Sequence, residues 1–172
     1  MPNRQTPKVV AADASYEDLD AALEKVVEGL ELSSWLAGLQ GKKVFIKPNM
    51  LGAFGPEKHV TTWPALVTRV VRLFQEAGAE VVVGDNCGVG GYGLNQRVAN
   101  KTGIMEAADG FFENVARDTV QVEMDSRFMD SIVVSRAMMD ADVLVSLPKM
   151  KTHGLTLVTG AVKNMFGLVA RS

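Results

Sequence analysis

Cysteine is nearly absent from this chain of 172 residues, which contains Cys87 and no second thiol. An intrachain disulfide is therefore impossible, and so is any structural zinc site that needs two or more cysteines. An iron–sulfur cluster held by four cysteines likewise cannot be built from this chain alone. We expect Cys87 to be a structural or incidental thiol, because no nearby group in the sequence is arranged to ionise it.

An excess of positive charge is also lacking. The 18 Lys and Arg residues are balanced by 20 Asp and Glu residues, which gives a formal net charge of −2. Nucleic-acid-binding domains usually carry a strong basic excess, so we expect no nucleic-acid partner. The charge is unevenly distributed, because residues 143–172 contain four Lys or Arg residues and no acid. A search for an anion-binding site therefore starts at this end of the sequence.

Long apolar runs are missing as well. No stretch of 18 or more uncharged apolar residues occurs, so the sequence predicts no membrane-spanning helix and no membrane partner. The first residues lack the long apolar core of a secretory signal, which favours a cytoplasmic protein.

The clearest segments of the sequence alternate between helix and strand patterns. Apolar residues at helical spacing predict an amphipathic helix over residues 19–30. Continuous apolar runs predict buried strands over 44–46, 80–83 and 142–147, of the kind found in parallel sheets. A second helix, which contains Pro64 in its first turn, is predicted between the first two of these strands.

Weaker patterns complete the assignment. They predict short helices over 95–100 and 104–113, and short strands over 120–122 and 132–134. The segment Val158 to Phe166 is predicted to form a final helix. We therefore expect a single α/β domain over residues 1–172, with strand–helix alternation, a mainly parallel sheet and helices on both faces.

Polar side chains follow three of the predicted strands, at the point where each strand ends. They are Lys47 and Asn49 after the first strand, Asp85 after the second, and Lys149, Lys151, Thr152 and His153 after the third. Carboxyl ends of parallel strands share one edge of a sheet, where α/β proteins bind their ligands. Lysines there suit phosphate or carboxylate groups, although each could also be an ordinary solvated loop lysine.

Two further clusters adjoin predicted helices. His59, Thr61 and Thr62 precede the second helix, where backbone N–H groups favour anions, but the threonines could simply cap it. Later in the chain, a group of small and polar residues resembles part of a phosphate cradle without the glycine and lysine order of a P-loop. That group consists of Thr159, Gly160, Lys163 and Asn164.

Two other kinds of site have weaker support. Gly88, Gly90 and Gly93 satisfy the dinucleotide spacing G-x-G-x-x-G, but a flexible glycine-rich loop explains them better, because the succeeding helix is short. His59 and His153 could join Asp85 around a metal, yet their spacing matches no local metal signature, so we predict no metal site.

Five motifs, in order, are similar to those of the domain-of-unknown-function family 362. They are Lys-Pro-Asn at 47–49, His-Val-Thr-Thr-Trp-Pro at 59–64, Gly-Ala-Glu-Val-Val-Val-Gly-Asp at 78–85, Ala-Asp-Val-Leu-Val-Ser-Leu-Pro-Lys-Met-Lys-Thr-His at 141–153, and Thr-Gly-Ala-Val-Lys-Asn-Met-Phe-Gly at 159–167.

The resemblance carries expectations about cofactors and length. Members of that family are often described as iron–sulfur proteins, since many carry a ferredoxin-like segment with two four-cysteine runs. This chain has one cysteine, and family chains usually continue beyond the last motif. The resemblance therefore implies that residues 1–172 are the N-terminal part of a longer unit. It also implies that a ferredoxin-like module or subunit is a candidate partner.

The residues and the resemblance together leave several functional hypotheses. In the first, an anionic ligand or cofactor of unknown identity binds at the strand-end edge. Four lysines would neutralise its charge, and other polar residues would position it: Lys47, Lys149, Lys151, Lys163, Asn49, Thr61, Thr62, Thr152, Thr159, Gly160 and Asn164. Proton transfer would fall to His59, His153, Asp85 or Lys163. The alternatives are a non-catalytic redox scaffold and, ranked lowest, dinucleotide binding.

Overall fold

A computed structural model describes residues 6–14, 18–88 and 94–169. Its helices are α1 (Leu19–Gly29), α2 (Ser33–Ala37), α3 (Pro64–Glu76), α4 (Asn95–Thr102), α5 (Ile104–Ala107), α6 (Arg136–Met139) and α7 (Ala161–Asn164). Two 3-10 turns span Pro56–Lys58 and Met165–Leu168. The strands are β1 (Lys43–Pro48), β2 (Glu80–Val83), β3 (Thr119–Glu123), β4 (Ser131–Ser135), β5 (Val143–Leu147), β6 (Lys151–His153) and β7 (Leu157–Thr159).

Three parallel strands form the central sheet in the order β2-β1-β5. Val44 of β1 lies opposite Val81 of β2 and Val143 of β5. The three apolar runs read from the sequence are thus parallel neighbours, as expected, and α3 crosses over from β1 to β2. The expected burial of the third run was wrong, because β5 ends the sheet order and Leu144 is 40% exposed. The other strands pair antiparallel, β3 with β4 and β6 with β7. Their short connections allow a hairpin but no parallel crossover.

The two faces of the central sheet are covered differently. Val44 and Ile46 belong to the larger apolar core, together with the buried stripe of α3. Phe45 points to the other face and packs in a smaller cluster with Val115 and Leu168. Residues of α6 border this cluster, and no long helix among the described residues packs on it. The α/β expectation is therefore confirmed, while helices on both faces are confirmed only in part.

Two predicted helices were wrong in extent. Residues 158–159 belong to β7, and Gly160, with an extended backbone at φ −162°, separates that strand from the single turn of α7. The helix predicted over 104–113 ends at Ala107, because Asp109 and Gly110 take left-handed conformations that stop it. In the described parts of the chain, no helix has the length and apolar character needed to cross a membrane.

Candidate functional site

The polar clusters that follow β1, β2 and β5 lie at the same edge of the central sheet. This arrangement follows directly from the parallel pairing of the three strands, whose carboxyl ends point the same way. Lys47 occupies the end of β1 opposite Ser146 of β5, and Asp85 follows β2 by two residues. The polar clusters therefore share one edge of the sheet, as the sequence predicted.

Lys47 is the most deeply buried charged residue of this edge. Its side chain is fully inaccessible to solvent, and its ammonium contacts Asp85 Oδ1 in an ion pair. The other acceptors are Pro48 O at 3.0 Å and Asn164 Oδ1 at 3.3 Å. An ammonium has three N–H donors, so all three are used inside the protein. Lys47 consequently lies beneath the cleft described below and does not line it.

Asp85 is held from two sides. One carboxylate oxygen accepts from Lys47, and the other accepts the backbone N–H of Met50 at 2.8 Å. Burial raises the pKa of Asp85, against the opposing attraction of Lys47. Burial likewise lowers the pKa of Lys47, against the attraction of Asp85. Each charge is therefore the main support of the other, and the two groups titrate as a unit.

Gly167 closes over this pair. A Cβ atom at position 167 would overlap Asp85 Oδ1 and lie 2.9 Å from Lys47 Nζ. The backbone oxygen of Gly167 accepts the N–H of Asn86 at 2.9 Å, which holds the C-terminal 3-10 turn against the loop after β2. The last glycine of the Lys-Asn-Met-Phe-Gly motif is thus explained by close backbone approach to the ion pair.

A network of amide side chains fixes the loop after β2. Asn95 Nδ2 donates to Asn86 Oδ1 at 2.7 Å and to Asn114 Oδ1 at 2.9 Å. Asn95 Oδ1 accepts the backbone N–H of Cys87 at 3.0 Å. Sequence reasoning missed Asn95, which lies on the short helix α4 and is fully buried. The available signal was an amide on the same helix face as Val98 and Ala99.

Lys151 is a half-buried cation of the edge, as are Lys149 and Lys163. Its ammonium donates to Asn49 Oδ1 and to Val60 O, the latter at 2.6 Å. Burial lowers the pKa of Lys151, and the positive charges of Lys163 and Lys149 lower it further, against the opposing attraction of Asp85. Lys151 thus stands among like charges, an arrangement that an anion would relieve.

Thr61 and Thr62 do not cap α3. The N-cap of that helix is Trp63, and no side chain makes a capping hydrogen bond. Thr62 instead accepts the N–H of Asn49 at 2.8 Å and donates to Leu147 O, which ties the end of β1 to the end of β5. Thr61 is buried beside it. The capping interpretation was therefore wrong.

A cleft of about 90 Å³ lies at this edge. It brings together half of the sequence-predicted site residues: Asn49, Asp85, Lys151, His153, Thr159, Lys163 and Asn164. The remaining lining residues were not predicted to bind the anion: Leu51, Asn86, Cys87, Gly88, Phe166, Gly167 and Val169. Gly88 among them belongs to the glycine-rich motif weighed for dinucleotide binding. The antiparallel pairing of β6 with β7 explains part of the set, since Lys151, His153 and Thr159 share one face of that hairpin.

Other predicted residues lie outside the cleft lining. Thr152 is exposed on the opposite face of the hairpin, and Gly160 follows β7 without lining the cleft. Lys149 lines a separate shallow pocket beside Trp63. His59 is exposed, with a left-handed φ of 54° at the end of a 3-10 turn.

His153 takes a defined tautomer. Its Nδ1 accepts the backbone N–H groups of Leu155 at 3.1 Å and Thr156 at 3.2 Å. An accepting Nδ1 requires the ring proton to be on Nε2, an assignment that rests on the hydrogen-bond network. At the cleft, His153 is therefore arranged as a hydrogen-bond donor.

The structure adds no support for a metal site or for dinucleotide binding. In the parts of the chain that the structure describes, no group of three His, Cys, Asp or Glu residues is placed to hold a metal ion. Gly88 lines the cleft, but Gly90 and Gly93 lie outside the described residues, so dinucleotide binding at this loop stays a prediction.

Comparison with known proteins identifies the family. A family model described as "Domain of unknown function (DUF362)" matches residues 44–172. The chain belongs to the DUF362 family. The matched DUF362 region contains every cleft residue described above, from Asn49 to Val169.

One curated relative in particular bears on length and location. A thylakoid-associated protein of Synechocystis sp. is 33% identical over 132 residues, which cover 75% of this chain and 40% of the relative. The match thus spans less than half of that relative's length. Because the relative is thylakoid-associated, a cytoplasmic location for this DUF362 chain stays a prediction. No solved structure matches the chain significantly.

Proposed function

We propose that the cleft at the carboxyl ends of β1, β2 and β5 binds a small anion. The observation that carries this proposal is the convergence of Lys151 and Lys163 on one cleft without acidic partners of their own. Among the described residues, no ion pair involves Lys149, Lys151 or Lys163. Unneutralised lysines in a concave, partly desolvated site attract anions.

The roles of the cleft residues follow from their contacts. Lys151 and Lys163 neutralise the ligand, and Thr159 and His153 donate hydrogen bonds to it. Asp85 is the candidate for proton transfer, because it is the buried carboxylate that lines the cleft. Lys47 acts indirectly by holding the Asp85 carboxylate in place.

Titration of the purified chain with inorganic phosphate and with sulfate tests anion binding. We expect calorimetric heats and backbone NMR shifts confined to cleft residues. Lys151→Met and Lys163→Met should each weaken binding about tenfold, the effect of losing one charge-assisted hydrogen bond. Lys101→Met is the matched control, since Lys101 is an exposed lysine of α4, away from the cleft. Equal losses for all three variants would indicate non-specific attraction and contradict the proposal.

A scaffold for a ferredoxin-like module is the second candidate function. Apolar side chains near the cleft favour it, because Leu155, Leu157 and Val162 are 87%, 79% and 91% exposed. Such side chains are unusual on a solvated surface and are typical of an interface. NMR titration with a ferredoxin that carries two four-iron clusters tests this role. We expect shifts on the β6-β7 hairpin that Leu155→Ser and Leu157→Ser together abolish. An absence of shifts in the unaltered chain would refute it.

A further inference from the structure

The cleft supplies several hydrogen-bond donors. Lys151 uses two of its three N–H groups on Asn49 and Val60, so the third is available to a ligand. Within residues 6–14, 18–88 and 94–169, the Lys163 ammonium forms no ion pair, and Lys163 lines the cleft from α7. His153 contributes the Nε2–H that its tautomer implies. An oxyanion would therefore meet donors from the β6-β7 hairpin and from α7.

Asp85 lines the same cleft as an acceptor and not as a donor. It is the acidic side chain among the cleft's described lining residues, and it is 2% exposed. Lys47 occupies one position on Oδ1, and the Met50 N–H occupies one on Oδ2. The Asn86 backbone N–H is a third donor to this carboxylate. Because a carboxylate has about four acceptor positions, one remains for a donor from a ligand.

A buried carboxylate in an anion site selects among anions. A fully deprotonated oxyanion would place its own lone pairs against those of Asp85, and the like charges would repel. An oxyanion that keeps an O–H group would instead donate that proton to Asp85. The difference between a repulsive contact and a charge-assisted hydrogen bond is large at a carboxylate that is almost completely buried.

We propose that the ligand of this cleft is a small oxyanion that also carries an O–H donor, such as hydrogen phosphate or a 2-hydroxycarboxylate. Lys151 of the hairpin and Lys163 of α7 bind the anionic oxygens, and Asp85 accepts a hydrogen bond from the hydroxyl group. This inference rests on the proposed anion-binding function and narrows its ligand class. The inference also explains the buried Lys47–Asp85 pair. The Lys47 ammonium favours the charged form of Asp85, which is the form that accepts hydrogen bonds in a cationic cleft.

Two matched pairs of anions test the proposal on the unaltered chain. At about pH 7, inorganic phosphate retains an O–H group that sulfate, which has the same shape, lacks. In the second pair, glycolate carries a hydroxyl group that acetate lacks. We expect the O–H member of at least one pair to bind at least about tenfold more tightly than its partner. The pair that discriminates more strongly identifies whether phosphate or hydroxycarboxylate is the better ligand.

The outcomes separate this inference from the function on which it rests. Equal binding within both pairs would overturn the proposed ligand class while leaving anion binding intact. Binding of no anion would overturn anion binding itself. Asp85→Asn should reduce the affinity ratio within each pair to about one. The amide N–H of the variant donates equally well to a deprotonated oxygen, so an O–H group on the anion no longer helps. A retained preference in a folded Asp85→Asn chain would show that Asp85 is not the selecting group. If that variant does not fold, the unaltered chain still decides the ligand class.

Discussion

Asn49 and Thr62 are joined by two hydrogen bonds, although they are 13 residues apart in the sequence. The Thr62 N–H donates to Asn49 O at 2.9 Å, and the Asn49 N–H donates to Thr62 Oγ1 at 2.8 Å. The same hydroxyl donates to Leu147 O at the end of β5. One buried threonine therefore fixes the two strand ends that frame the cleft.

Thr62→Val should destabilise the fold by about 1–3 kcal/mol, because it leaves the Asn49 N–H and the Leu147 oxygen without their partner. Urea unfolding followed by circular dichroism measures the change. Thr62→Ser is the matched control, since it retains the hydroxyl and removes one methyl group, which costs about 0.8 kcal/mol. Equal stability of the Val and Ser variants would contradict the bridging role.

Gly167→Ala should cost about 1–3 kcal/mol, because the added Cβ would overlap Asp85 and force the 3-10 turn away from the ion pair. Thermal unfolding provides the measurement. Gly154→Ala is the control, as a Cβ there meets nothing within 4 Å, and it should change stability by less than about 0.5 kcal/mol. A neutral effect of Gly167→Ala would mean that the turn does not pack on the pair in solution.

Lys47→Met should destabilise the fold by about 3–5 kcal/mol near neutral pH, because it leaves Asp85 as an unpaired buried carboxylate. Adding Asp85→Asn to Lys47→Met removes that charge and keeps an acceptor for the Met50 N–H. The double variant should therefore lose less stability than the two single changes summed. A double-mutant cycle by urea unfolding measures the coupling, and strict additivity would argue against a direct ion pair.

The Lys47→Met variant should also respond differently to pH. Without the cation, burial of Asp85 is opposed only by the backbone N–H groups of Met50 and Asn86, so the folded-state pKa of Asp85 lies further above the unfolded value. A raised folded-state pKa contributes stability that is present at low pH and is lost as pH rises through that pKa. The destabilisation of the variant relative to the unaltered chain should therefore be smaller near pH 4 than near pH 8. Unfolding curves at the two pH values check the sign, and a larger loss at acid pH would contradict it.

The sequence predicted which polar residues lie at the edge of the sheet, but not which of them are buried. Apolar runs at 44–46, 80–83 and 142–147 were sufficient to place Lys47 and Asp85 at one edge, because parallel strands share their direction. Which side chain points inward depends on the strand alternation and on what covers each face. Lys47 shares the face of Phe45, and that face is closed by Leu168 and Gly167, more than 110 residues later in the chain. Local patterns carry no information on such a contact.

The sequence failed to predict the hairpin of β6 and β7 for a different reason. Residues 158–166 contain apolar and small residues at spacings that fit a helix, and a three-residue strand is too short for alternation to be recognised. Pairing with β6 turned part of this segment into strand. The same pairing placed His153 and Thr159 with Lys151 on the cleft side, which separate loop and helix assignments could not foresee.

Anion affinity should fall as the pH rises, and it should do so at a lower pH than deprotonation of an ordinary lysine would cause. Burial and the neighbouring lysines lower the pKa of Lys151, so its charge is lost as pH rises through a value below the usual lysine range of about 10.4. Calorimetric titration with sulfate is the suitable measurement, because sulfate itself does not change charge there. We expect Lys151→Met to bind sulfate weakly with little dependence on alkaline pH, whereas Lys101→Met should follow the unaltered chain. An identical pH profile in all three proteins would show that Lys151 does not supply the titrating charge.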